Sequence, residues 1–177
     1  MSAVPEAITR FLREHGADRI PHPGGTLMEH LHRVAGLLAS WGGGRDLQYA
    51  GVCHAAYGTD GFGQSLLDLR DRATLRALIG EKAEALVYLY GSCDRAAVYP
   101  RIDATPVVFR DRFTGCDHEL AEPELREFLE LTVANELDVM THNAELAAAH
   151  GAALYQLFER CKDHLSAPAW QACRMLR

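Results

Sequence analysis

Apolar residues recur at three- and four-residue intervals along most of this chain, and the residues that break helices fall between those stretches. That period is the one an α-helix needs to bury a single face. Ile8, Phe11 and Leu12 begin the pattern after Pro5, which suits a helix's first turn, and Gly16 stops it. Pro21, Pro23, Gly24 and Gly25 predict a turn. A second helix is expected from about Thr26, with Leu27, Leu31, Val34, Leu37 and Leu38 facing inward, ending at Gly42-Gly43-Gly44. A third is expected over 46–56, where the small residues Ala50, Gly51, Ala55 and Ala56 permit another helix to come close. Glycines at 58, 61 and 63 make 57–64 a loop, and two helices follow near 69–79 and 81–90 with Gly80 between them.

Residues 91–121 break the period. Pro100 and Pro106 exclude one continuous helix there. Val107-Val108-Phe109 and the stretch around His118 are expected to pair as a small hairpin turning at Thr114-Gly115. Helix resumes after Pro123, with a last long helix over 143–164 and a short one around Trp170. The fold class expected is all-α: one helical-bundle domain over 1–177 with a short irregular or β-hairpin insert near 100–120.

Composition narrows the function. With 18 basic against 24 acidic residues, a net charge of −6, the chain lacks the basic excess of a general nucleic-acid binder. Runs of eighteen apolar residues are missing, so no membrane partner is expected. The five cysteines are scattered without CxxC spacing and no signal peptide is readable, which predicts free thiols in a reducing cytoplasm. The expected partner is a small molecule; the oligomeric state is left open.

Polar residues on the apolar faces carry the functional expectation. His30 lies three residues after Leu27 and four before Val34, and His54 lies four after Ala50 and seven after Leu47. Tyr57 follows His54 by three, which would set it beside the same cavity. On the helix after Pro123, Asn135 is seven residues after Phe128, and Glu136 is seven after Leu129. A lone inward histidine is ordinarily a hydrogen-bonded structural residue. Three helices each bearing such a group suggest instead one shared polar cavity, because buried polar groups need partners. His22, between two prolines, is read as structural or exposed, within reach of the cavity mouth.

The segments Glu29-His30-Leu31-His32-Arg33-Val34-Ala35, Leu47 to Ala56 and Val133-Ala134-Asn135-Glu136-Leu137 resemble the HD-domain superfamily, over roughly 22–142. That superfamily contains helical metal-dependent phosphohydrolases and some diiron oxygenases. The resemblance matches His30 to the first metal ligand, His54 to the histidine of the His-Asp pair, and Asn135 to the final acid. Two acids of the pattern are replaced, by Ala55 and Asn135. The stretch Gly51-Val52-Cys53-His54-Ala55-Ala56-Tyr57-Gly58-Thr59 is more specifically similar to an uncharacterised bacterial HD-related family with a His-x-x-Tyr-Gly-Thr motif.

These readings lead to an enzyme acting on a small molecule. His54, His30 and Tyr57 are its catalytic candidates, and Thr59, Asn135, Glu136, Arg110 and Arg112 its substrate-binding candidates. The cofactor expected is none, or a single divalent metal such as Fe, Mn or Zn. A metal would need His30, His54 and a compensating acid, for which Asp60, Asp138 and Glu136 all stand open. A non-catalytic binding protein with a degenerate site is the remaining reading.

Overall fold

The computed structural model describes residues 4–177 and is predominantly helical, with two small antiparallel hairpins. Helix α1 (Glu6–Glu14) buries Ile8 and Leu12. The hairpin β1 (Pro21–His22) and β2 (Gly25–Thr26) leads into α2 (Leu27–Ser40). Thr26 caps α2 by accepting from the Glu29 amide, while the Glu29 carboxylate takes the Thr26 amide at 2.7 Å. Gly25, at φ +132°, is required by that cap, since a Cβ there would lie 2.2 Å from Glu29 Oε2.

Helix α3 (Arg45–Cys53) packs against α2. A Cβ on Gly51 would meet Leu38 Cδ1 at 2.5 Å and Ala35 Cα at 3.5 Å, so glycine allows the close approach of the two helices. The helix stops at Cys53, three residues before the end expected from the period, and His54 becomes its C-cap. Helices α4 (Arg72–Ile79) and α5 (Glu81–Ser92) meet at Gly80, whose φ of +92° turns the chain.

The irregular segment contains a short helix the periodicity did not predict, α6 (Arg95–Val98), capped by the Asp94 side chain. Four residues are too few for a period to register. The hairpin of β3 (Val108–Asp111) and β4 (Cys116–Glu119) follows, with Phe109 paired to His118. Helix α7 (Glu122–His142) is the central strut, with its inward residues running from Leu125 to Met140. Helices α2, α3, α5, α8 (Ala144–Arg160) and α9 (Ala167–Cys173) all pack on it. Helix α8 ends at Arg160, short of the expected 164, and a 3₁₀ turn over Lys162–His164 completes that stretch.

Among the described residues, no helix is long and apolar enough to cross a membrane. All five cysteines are free.

Candidate functional site

Helices α2, α3 and α7 bring His30, His54 and Asn135 to one point. His30 and His54 are 0% and 2% exposed, so neither ring can rely on solvent for its hydrogen bonds. Their Nε2 atoms lie 3.3 Å apart, and His30 Nε2 is 3.1 Å from Asn135 Oδ1.

The outer side of each ring fixes which atoms face inward. His54 Nδ1 donates to the Gly51 carbonyl at 2.7 Å. That carbonyl belongs to the last turn of α3, where backbone acceptors lack partners within the helix. His54 therefore turns an unprotonated Nε2 toward His30. Burial, with His30 close by, lowers the His54 pKa to about 3, so the ring is neutral at neutral pH. His30 Nδ1 meets Asp138 Oδ2 at 2.6 Å, and Arg33 grips the same carboxylate with Nε at 2.7 Å and Nη2 at 3.0 Å. Burial pushes the Asp138 carboxyl up, but the His30 and Arg33 hydrogen bonds outweigh it and hold the pKa at about 2. Asp138 is thus a carboxylate that accepts from His30.

Asn135 is oriented in the same way. Its Nδ2 donates to Glu136 Oε1 at 3.2 Å, and Arg95 Nη1 holds that carboxylate at 3.1 Å. Reversing the amide would set Asn135 Oδ1 against a carboxylate oxygen, so Oδ1 faces His30. With neutral rings, three acceptors would face one another: two imidazole nitrogens and an amide oxygen. One hydrogen on His30 Nε2 would resolve this by donating to both His54 and Asn135.

The rings open on a cavity of about 330 Å³ whose wall includes His22, Thr59, Asp60, Phe62, Arg95 and Glu136. His22 is half-buried there, stacked on His30 with centroids 4.0 Å apart, and burial and His30 push its pKa down to about 4. Arg33 ties the hairpin that carries His22 to this centre by donating to the carbonyls of Pro23 and Gly24.

Several expected residues lie elsewhere. Tyr57 does not share the cavity: its hydroxyl donates to Glu84 Oε1 at 2.8 Å, in a separate buried cluster with Arg72. The early end of α3 turns the chain before residue 57, which removes the helical spacing that placed Tyr57 beside His54. Arg110 pairs with Asp117 across the β3–β4 hairpin, away from the histidines. Arg112 donates to the Gly91 carbonyl and lines a neighbouring cavity that shares Thr59 and Phe62 with the first. Sequence reasoning missed Arg95. It sits on the unpredicted α6, and its backbone amide donates to Asp60 Oδ2 at 2.9 Å while Nη2 donates to the Tyr90 hydroxyl at 3.0 Å. The Asp94 cap was the one local signal that could have located it.

The donor set does not fit the metal centre that the resemblance implies. Asp138 binds the far nitrogen of His30, Asp60 takes the Arg95 amide, and Glu136 is held by the Arg95 guanidinium. Only neutral donors converge, and a divalent ion there would lack carboxylate charge compensation. Among the described residues, no group of three or more His, Cys, Asp or Glu side chains is arranged to hold a metal ion. The two-histidine, one-carboxylate set is not assembled. Cysteine chemistry is equally disfavoured, because burial pushes the Cys53 and Cys93 thiols up to about 12.

Fold and site thus define a helical protein with a buried, closely paired set of histidines lining a cavity. A family model described as a domain of unknown function (DUF6817) matches residues 11–95. That stretch includes His30, His54 and the Tyr57-Gly58-Thr59 segment, and stops before Asn135 and Asp138. No curated protein and no solved structure matches the chain.

Proposed function

We propose that this protein is a small-molecule-transforming enzyme that uses the His30–His54 pair as a metal-independent acid and base, within an HD-like bundle whose two missing acids leave no metal centre. The observation that carries this reading is the convergence of His30 Nε2, His54 Nε2 and Asn135 Oδ1, 3.1–3.3 Å apart around His30, at the floor of a cavity. A fixed structural histidine needs no second unprotonated ring facing it.

Acid catalysis comes first. His30 gives its Nε2 hydrogen to a substrate atom, leaving a neutral ring still anchored to Asp138. The neighbouring positive charge that weakens His54 as a base then disappears, and His54 Nε2 accepts a proton from a second substrate atom. The short gap between the two nitrogens lets that proton return to His30 after product leaves. Asn135 orients the donor, and Asp138 with Arg33 holds its ring.

The experiment is untargeted. A small-metabolite extract is incubated with the wild-type protein, His54→Gln and Asp138→Asn, each with and without EDTA, and followed by mass spectrometry. At least one mass should change with wild type in the presence of EDTA and remain unchanged with His54→Gln. Loss of that change under EDTA, with restoration by Fe, Mn or Zn, overturns the metal-independent reading. Identical profiles for wild type and a folded His54→Gln overturn the enzyme.

A further inference from the structure

A second hollow of about 500 Å³ lies between α6 and α8. Ala96, Pro100, Met140, Ala153, Leu154 and Leu157 supply its apolar wall. It shares four wall residues with the histidine cavity: Arg95, Glu136, Met140 and His150. The two hollows are therefore lobes of one groove, and the Arg95–Glu136 ion pair, 3.1 Å long, forms the partition between them.

The lobes differ in chemistry. The histidine lobe offers donors and acceptors, including His30, His54, Asp60 and Asn135. In the second lobe the arginines and the carboxylate are already engaged, and the buried Tyr99 hydroxyl, which has no partner, is an uncharged donor. Arg160, at the rim, bonds Asp103 at 2.7 Å and the carbonyls of Tyr99 and Pro100, and Arg95 is balanced by Glu136. An unpaired charge entering it would find no free counter-charge, whereas an apolar group would exchange water for a largely aliphatic wall. Cavities of this size and lining hold apolar ligand groups.

The geometry points to a bipartite ligand, in which a small polar head meets the histidine pair while an uncharged apolar group, such as a medium-length acyl chain or a fused ring, fills the α6–α8 lobe. This assignment names the substrate class of the enzyme proposed above and rests on that reading for the head group alone. Met140 and His150, common to both lobes, flank the junction where the two parts of such a molecule join.

The test uses the neutral apolar fluorophore N-phenylnaphthylamine with the full chain. Ala153→Trp places an indole in the second lobe without touching the histidines, and should lower the fluorophore's affinity by about tenfold or more. His54→Gln should leave that affinity within about twofold, since the fluorophore carries no group for the pair to bind. Saturating fluorophore should also shift the Met140 methyl and His150 ring signals in NMR spectra. Equal affinity in parent and Ala153→Trp, or no movement of those signals, overturns the apolar lobe whatever the metabolite experiment gives. If Ala153→Trp blocks the fluorophore but no metabolite is consumed, the lobe stands and the enzymatic reading falls. Should Ala153→Trp fail to fold, Leu157→Gln, which makes the wall polar, replaces it with the same expected loss.

Discussion

Two buried polar clusters lie within the helical core, one around Glu84 and one around His30, and their hydrogen bonding differs. Around Glu84, donors and acceptors balance. Tyr57 and Arg72 both donate to Oε1, at 2.8 and 2.7 Å, and Arg72 adds a bond to Oε2 at 3.0 Å while lying over the Tyr88 ring. Around His30, acceptors outnumber donors until one hydrogen is added, and the cluster opens on a cavity. The first arrangement closes a protein interior; the second is the one to which the proposed acid–base role belongs. Burial alone does not distinguish the two clusters, whereas the donor count and the open side do.

Removing the hub of the closed cluster should have the largest effect. Glu84→Ala leaves Arg72 and the Tyr57 hydroxyl without their acceptor, and should destabilise the fold by about 3–5 kcal/mol in urea unfolding. A loss below about 1 kcal/mol would break the contrast.

Acid and alkali should separate the clusters next. Between pH 6.5 and about 3, unfolded chains bind the His54 proton and folded ones do not, and His22 behaves likewise down to about 4. Stability therefore falls on acidification across that window, by about 3 kcal/mol between pH 7 and 4 from His54, with a smaller, solvent-screened loss from His22. Asp138, held down at about 2, extends the loss below its usual 3.8. Tyr57 acts in the opposite direction: burial and Glu84 raise its pKa, so its contribution is intact below pH 10 and lost as alkali is added. Urea unfolding at pH 4 and 7 checks the acid limb. His22→Ala should flatten it, and an unchanged limb would remove the account of His22.

Replacing His54 with Gln should cost only about 1 kcal/mol, because an amide can still meet His30 Nε2, yet it should abolish the proposed activity. A stability loss as large as that of Glu84→Ala would make His54 a structural residue like Glu84. The smallest effect concerns thiols. Cys116 is exposed, whereas Cys53, Cys93, Cys161 and Cys173 are buried with pKa values raised to about 11–12. A thiol reagent should label one cysteine in the folded protein at neutral pH with no loss of stability. Rapid labelling of Cys53, adjacent to His54, would mean that the pair shares its site with a thiolate.

By itself the sequence determined the helices, because a 3.6-residue apolar period and well-placed glycines and prolines are local signals. It also determined that His30, His54 and Asn135 lie on inward faces, and Gly51 carried the close approach of α2 to α3. Only the tertiary structure decided what those polar atoms meet. Tyr57 turned to Glu84 because α3 ends one turn sooner than its apolar spacing implied. Asp138 reached the outer nitrogen of His30 rather than the centre, and Arg95 joined from a helix too short to announce itself. Periodicity specifies a direction from each helix axis; hydrogen-bond partnership depends on where several axes cross, to within an ångström, and on which ring nitrogen a distant backbone carbonyl has already claimed.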